Sequence, residues 1–244
     1  MRVAEIDCSS QPGLMTPGLH EGDERLPKRD RDAFSSALSA IRGQLRSGDY
    51  VLGEALIIKD LSDRLRLSPT PVREALSRLS GEGLVEERRG SGYFAPAFGV
   101  TELTELYEAH QLLVLGAVRE PRSASVQPMS ETDASPANPS AGGDPPDYVA
   151  RTERVFDVIV RAGGNRPLFD CYRRLVDRLA PARFAEPQVL GDVEEELGQL
   201  QLATDRDQQN IPARVRAFHR RRLRQAQDIV RSVRRNATTN TRQI

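Results

Sequence analysis

Residues 68–84, Ser-Pro-Thr-Pro-Val-Arg-Glu-Ala-Leu-Ser-Arg-Leu-Ser-Gly-Glu-Gly-Leu, constrain the fold more than any other stretch of this chain. Val72, Leu76 and Leu79 recur at helical spacing and make one apolar face. Thr70 offers a capping hydroxyl at the start, and Pro71 suits a first helical turn, where its missing N–H removes no bond. Gly81 and Gly83 stand where a helix of this length would stop. Arg73 and Arg78 fall off the apolar face. Upstream, Phe34, Leu38, Ile41 and Leu45 space a first helix that Gly48 ends, and 57–65 spaces a short second one. Downstream, residues 85–94 read as two short strands around Arg-Gly-Ser-Gly, a hairpin. Helices followed by a basic hairpin predict a winged helix-turn-helix. A helix of this kind fits the DNA major groove, where each base pair shows its own pattern of donors and acceptors.

The other segments follow from composition shifts along the 244 residues. Residues 1–30 are polar and carry Pro12, Pro17 and Pro27, which predicts a disordered arm before a winged domain over 31–98. Residues 99–120 predict a helix, with Thr101 as its cap and Leu103, Leu106, Leu113 and Leu115 as apolar surface. Residues 121–147 collapse into Pro, Ser, Ala, Gly and acids, the composition of a flexible linker. Helical spacing resumes over 148–236. It runs through Val155, Phe156, Ile159 and Val160, breaks at Gly163-Gly164-Asn165, and continues over 168–179. Val193, Leu197 and Leu200 mark another helix, and 211–233 the last. Residues 237–244 predict a disordered tail. The expected fold class is therefore mainly α: an N-terminal winged helix-turn-helix with a small β-wing, then a C-terminal all-α helical bundle.

Charge distribution is more informative than net charge, which is zero. Residues 211–244 hold ten arginines against a single acid, Asp228. Overall neutrality therefore leaves room for a nucleic-acid partner, because binding depends on local basic faces. The run Arg220, Arg221, Arg222 and Arg224, continued by Arg231, Arg234 and Arg235, reads as the wet face of the last helix, with phosphate contact as the alternative. Cys8 and Cys171 make neither a disulfide framework nor a zinc site. No apolar run approaches membrane-spanning length, so a cytoplasmic protein with no membrane partner is expected. With no nucleophile–base pair, P-loop or dinucleotide fingerprint, the chain is not expected to be an enzyme.

Leu61, Leu65, Leu67, Ser68, Thr70, Pro71, Val72, Arg73, Glu74, Ala75, Leu76, Arg78, Leu79, Glu82, Gly83, Leu84 and Val85 follow an ordered, ungapped pattern. It resembles the DNA-binding domain of the GntR family of bacterial transcription regulators. The resemblance implies a double-stranded DNA operator, palindromic and bound by a homodimer. It also implies that Lys59, Ser68, Thr70, Arg73, Arg89 and Gly90 are DNA contacts: Lys59 at phosphate, Arg73 at bases, Arg89 and Gly90 at the wing tip. Members often carry arginine between the Ser and the Thr. Pro69 stands there instead and cannot donate to a base, which implies a different operator.

Glu105-Leu106-Tyr107-Glu108-Ala109, the stretch Arg154-Val155-Phe156-Asp157, the turn before Pro167-Leu168, and Ala217-Phe218-His219 resemble the FadR-type (FCD) branch of that family, whose helical domain binds effectors. His110 and Val114 stand where that branch carries arginine and glutamate. The branch commonly binds a metal through an aspartate and three histidines. The matching positions here are Glu153, Asp157, one near Leu197, and His219, a weak set for zinc or nickel. The expectation is no metal and no cofactor, with Glu153, Asp157 and His219 as polar anchors for a small-molecule effector. The alternatives are a metal-dependent sensor or enzyme built on those three residues, and a protein-interaction module.

Overall fold

The computed structural model describes residues 28–118 and 147–240. The arm over 1–27, the linker up to 146 and the tail from 241 lie outside the described residues. Two helices run past the expected limits: α1 (Lys28–Ser47) starts inside the segment read as arm, and the last helix reaches Asn240.

The winged domain comprises α1, α2 (Ile58–Leu65), α3 (Pro69–Gly81) and the strands β1 (Glu86–Arg88) and β2 (Gly92–Phe94). Its core is the apolar spacing made solid. Ala37, Ile41 and Leu45 of α1 meet Leu61 of α2 and Val72, Leu76 and Leu79 of α3. Burying a side chain of that size contributes roughly 1.5–3 kcal/mol, so α3 cannot roll without exposing several such groups. Arg66 makes the turn into α3 in the left-handed region, at φ 54°, and the Leu67 N–H closes it on the Ser62 carbonyl at 3.1 Å. The start of α3 corrects the expected cap. Ser68 is the capping position, without a side-chain bond, and Thr70 already lies inside the helix. Pro69 sets this start, because its fixed φ suits the first position and no partner is needed there for its missing N–H. β1 and β2 pair antiparallel, Glu86 opposite Phe94 and Arg88 opposite Gly92. Gly90 turns the tip at φ +74°, a conformation that disfavours any side chain.

The helical body comprises α4 (Val100–Val118), α5 (Asp147–Ala162), α6 (Arg166–Leu190), α7 (Val193–Arg206), a 3₁₀ turn (Gln208–Asn210) and α8 (Ile211–Asn240). The break at Gly163-Gly164-Asn165 has a separate reason at each residue. A Cβ on Gly163 would sit 2.8 Å from the Ala117 carbonyl oxygen. Gly164 has φ +60°. Asn165 caps α6 by accepting from the Leu168 N–H at 3.2 Å. The expected end of α6 near Leu179 is corrected, since the helix continues through Pro181 and Pro187 to Leu190. An interior proline costs ~3 kcal/mol in isolation. Here Leu179, Ala182 and Ala185 are buried in one cluster with Leu103, Leu106 and Tyr107 of α4 and Ile229 and Val230 of α8, and that packing outweighs the penalty.

Ion pairs join the two parts. Arg46, in the last turn of α1, places Nη2 2.6 and 2.7 Å from the Glu153 oxygens of α5, and its Nη1 bonds Asp177 of α6. Burial opposes the Arg46 charge, but Glu153 and Asp177 outweigh it and hold its pKa above the ordinary value. Arg42, one turn earlier, pairs with Glu82 beyond the end of α3.

Candidate nucleic-acid interface and a buried polar cluster

The alternation that buries Val72, Ala75, Leu76 and Leu79 leaves Ser68, Thr70, Arg73, Ser77 and Arg78 exposed on the other side of α3. Among the described residues Arg73 has no hydrogen-bond or ion-pair partner, whereas Arg78 is held by Glu82 at 2.8 Å. The wing shows the same contrast. Arg88 is tied to Glu86 at 2.7 Å and lies over the Phe94 ring, 4.1 Å from its centroid. Arg89 and Gly90, at the tip, are exposed, and Arg89 has no side-chain partner among the described residues. Lys59 is exposed in the first turn of α2. The residues named from sequence thus divide into the outer face of α3, the start of α2 and the wing tip, all on one small domain. A crevice beside α3, lined by Arg73, Ser77, Arg78 and Tyr93, is also bounded by Arg174 of α6. Arg174 is a cation from the helical body that no local pattern would have singled out.

The structure gives Glu153, Asp157 and His219 separate partners. Glu153 is engaged with Arg46, and Asp157 bonds Arg161 at 2.7 Å and Arg173 at 3.4 Å. His219 is buried and bonds His110. Leu197 is buried in the apolar core. Among the described residues no group of three or more His, Cys, Asp or Glu side chains could hold a metal ion.

What the body does assemble is a chain of directed hydrogen bonds. Arg183 Nη2 lies 3.0 Å from His110 Nε2, His110 Nδ1 2.8 Å from His219 Nε2, and His219 Nδ1 2.7 Å from the Val215 carbonyl. A guanidinium can only donate and a carbonyl can only accept, so both tautomers follow by elimination. His219 donates from Nδ1 to Val215, His110 donates from Nδ1 to His219, and His110 Nε2 accepts from Arg183. Both imidazoles are neutral. Burial first, then the Arg183 and Arg222 charges, push His219 down to about 3 against the lift from the Val215 carbonyl. Burial and the same arginines, with His219, hold His110 well below its ordinary value.

Beside this chain lies a satisfied ionic knot. Glu186, completely buried, accepts from Tyr107 at 2.8 Å, Tyr148 at 2.6 Å and Arg222 Nε at 3.0 Å. Arg222 also reaches Glu196 and the Phe218 carbonyl, each at 2.8 Å, and the Tyr148 hydroxyl at 2.7 Å. Burial works against its charge, but Glu186 and its neighbours hold the pKa above the ordinary value. Arg222 therefore corrects the reading of the whole arginine run as a wet face. Arg220 and Arg224 are exposed, but Arg222 shares the buried stripe of Val215, Phe218, Ala226 and Ile229. That spacing was the available signal, and so was the spacing of His110 among Leu103, Leu106, Val114 and Ala117. In both stripes the polar residue stands at a position where apolar residues mark burial.

A winged helix with exposed cations on α3, α2 and the wing tip, carried on an all-α body, is the architecture of a helix-turn-helix DNA-binding protein. Residues 35–94 match the bacterial regulatory proteins, gntR family. The winged domain is thus similar to the DNA-binding domain of GntR regulators. The chain is 39% identical over 67 residues to the Nta operon transcriptional regulator of Aminobacter aminovorans, a match covering 28% of this chain and 32% of that protein. It is 29% identical over 165 residues to an uncharacterized HTH-type transcriptional regulator of the TAR-I ttuE-ttuC' intergenic region of Agrobacterium vitis, covering 62% and 96% of the two chains. Among solved structures, E. coli McbR/YncC superposes with a TM-score of 0.51 at 17% identity, covering 82% of this chain and 98% of that one. That likeness supports the fold. No described helix is long and apolar enough to cross a membrane.

Proposed function

We propose that this regulator binds a palindromic DNA operator as a homodimer, and that its helical body is a divergent FadR-type domain that responds to a small-molecule effector. Small winged domains read short half-sites, and a two-fold dimer on a palindrome doubles the contacts. The reading is carried by Arg73: exposed, without a partner among the described residues, and set opposite a fully buried stripe on the same helix. Ser68 and Thr70 at the start of α3 suit phosphate and base contact, Lys59 suits phosphate, and Arg89 with Gly90 suits the adjacent groove. The effector would act through unequal affinity for DNA-competent and DNA-incompetent arrangements of the winged domain. Selection of bound fragments from genomic DNA, followed by gel-shift titration of Arg73→Ala at several salt concentrations, tests the reading. Loss of affinity and relaxed discrimination at one base position per half-site is the expected result. Unchanged operator affinity would reject α3 as the reading helix.

A further inference from the structure

The surface arginines of α6 are not all engaged. Arg166 bonds Asp170 at 3.1 Å, Arg173 lies 3.4 Å from Asp157, and Arg178 pairs with Glu102. Arg174 is exposed and has no hydrogen-bond or ion-pair partner among the described residues. Its own helix fixes where it stands. Asp177, three residues on and so on the same face, bonds Arg46 of α1 and lies 4.0 Å from Arg42. That face of α6 is therefore fastened to the winged domain. Arg174 stands one turn nearer the start of α6, at a crevice of about 640 Å³ that α3 also lines. Arg73, Ser77 and Gly81, spaced by four, run along the α3 side. A Cβ on Gly81 would meet nothing within 4 Å, so that row is open. The guanidinium groups of Arg73, Arg78 and Arg174 share the crevice with the carboxylates of Glu74 and Glu82. Glu82 is already divided between Arg78 and Arg42, so positive charge is in excess. Cations gathered with too little counter-charge favour an anion arriving from solution.

We infer that Arg174 contacts a DNA phosphate, so that the helical body itself takes part in holding the operator. A helix seated in the major groove, about 12 Å wide, has a sugar–phosphate strand along each flank. With α3 in the groove, the strand on the α6 side runs past this crevice, and the Arg174 guanidinium donates to one of its phosphates. The contact is to phosphate and not to a base, because Arg174 flanks the reading helix and does not lie on it. Such a contact carries no sequence information; it fixes register and adds salt-dependent affinity. It also gives the docking of the two parts a consequence for DNA. Arg174 is beside α3 only while Arg46 and Asp177 hold α6 against α1. The inference rests on the DNA reading of α3 proposed above.

The test is fluorescence-anisotropy titration of the full chain on the operator duplex recovered by genomic selection and on an unrelated duplex. The parent, Arg174→Gln and Arg174→Lys are compared from about 50 to 300 mM NaCl. Arg174→Gln removes no internal partner, so it should fold with the parent Tm. It should weaken both duplexes about eightfold per engaged winged domain at about 0.1 M salt, the factor of one released counterion, and flatten the log–log salt slope by about 0.9. Preference among single-base operator variants should stay as in the parent, unlike in Arg73→Ala. Arg174→Lys should keep the slope, since a phosphate accepts a point charge. Single neutral methylphosphonates placed along the operator locate the contact. At one phosphate per half-site, beside the groove that α3 reads, the methylphosphonate and Arg174→Gln losses should fail to add. An unchanged slope in Arg174→Gln, or losses that add at every phosphate, overturns the inference. If Arg73→Ala blurs base preference while Arg174→Gln leaves the slope intact, this contact fails and α3 remains the reading helix. If Arg73→Ala changes nothing, the DNA reading itself fails.

Discussion

Arg46→Met should loosen the winged domain from the helical body without unfolding either. Arg46 contributes a guanidinium whose side chain is 17% exposed to two carboxylates, Glu153 at 16% and Asp177 at 11%. Exposed ion pairs contribute about 0–1 kcal/mol, and breaking a fully buried one costs about 3–5 kcal/mol. At this intermediate burial, removing Arg46 should cost about 2 kcal/mol. The loss is moderated because Asp177 keeps Arg42 at 4.0 Å. About 2 kcal/mol multiplies the population of undocked winged domain roughly thirtyfold. Native-state hydrogen exchange of the C-terminal turns of α1 reads that population, and the change should be confined there and to the facing turns of α5 and α6. A double-mutant cycle with Glu153→Gln should return a coupling of about 1–2 kcal/mol. Additive effects of the two substitutions, with exchange in α1 unchanged, would refute the latch. The cycle also bears on the sequence-derived role of Glu153. As a latch residue, its loss shifts domain docking and DNA affinity; as an effector anchor, it would shift effector affinity instead.

Arg73→Ala should weaken operator binding by about 1–3 kcal/mol and blur one base position per half-site, measured by competition against single-base variants. His219, held at about 3 in the folded chain against 6.5 in the unfolded one, makes the unfolded state the better proton acceptor between those values. Its stabilising contribution is therefore full above pH 6.5 and falls by about 1.4 kcal/mol per pH unit below it; urea titrations at pH 7 and pH 5 should show the loss, and His219→Gln should make it shallower without removing it, because the buried neutral His110 adds a loss of the same sign. Protein purified without chelator should carry well under one transition metal per chain by elemental analysis, since Glu153 and Asp157 are committed to arginines. A full equivalent lost on His219→Ala would revive the metal-sensor alternative.

Helix spacing, turn residues and the hairpin were legible in the chain because each depends on neighbours a few positions away. The buried stripe of α3, the glycine at the wing tip and the Gly163-Gly164-Asn165 break follow from such local preferences, and the ordered pattern over residues 61–85 carried the DNA-binding reading. Three things were decided only by tertiary packing. Helix α6 passes Pro181 and Pro187 because α4 and α8 bury its alanines and leucines, which a propensity summed along one helix does not register. The apolar stripes mark His110 and Arg222 for burial, but what satisfies their polar atoms there lies 109 and 36 positions away. Glu153 and Asp157 share one face of α5, as their spacing requires, but which cation each would meet depended on how the winged domain docks: Arg46 lies 107 residues from Glu153. Charges draw their meaning from whatever the fold places within a few ångströms, and a linear pattern carries no such distance.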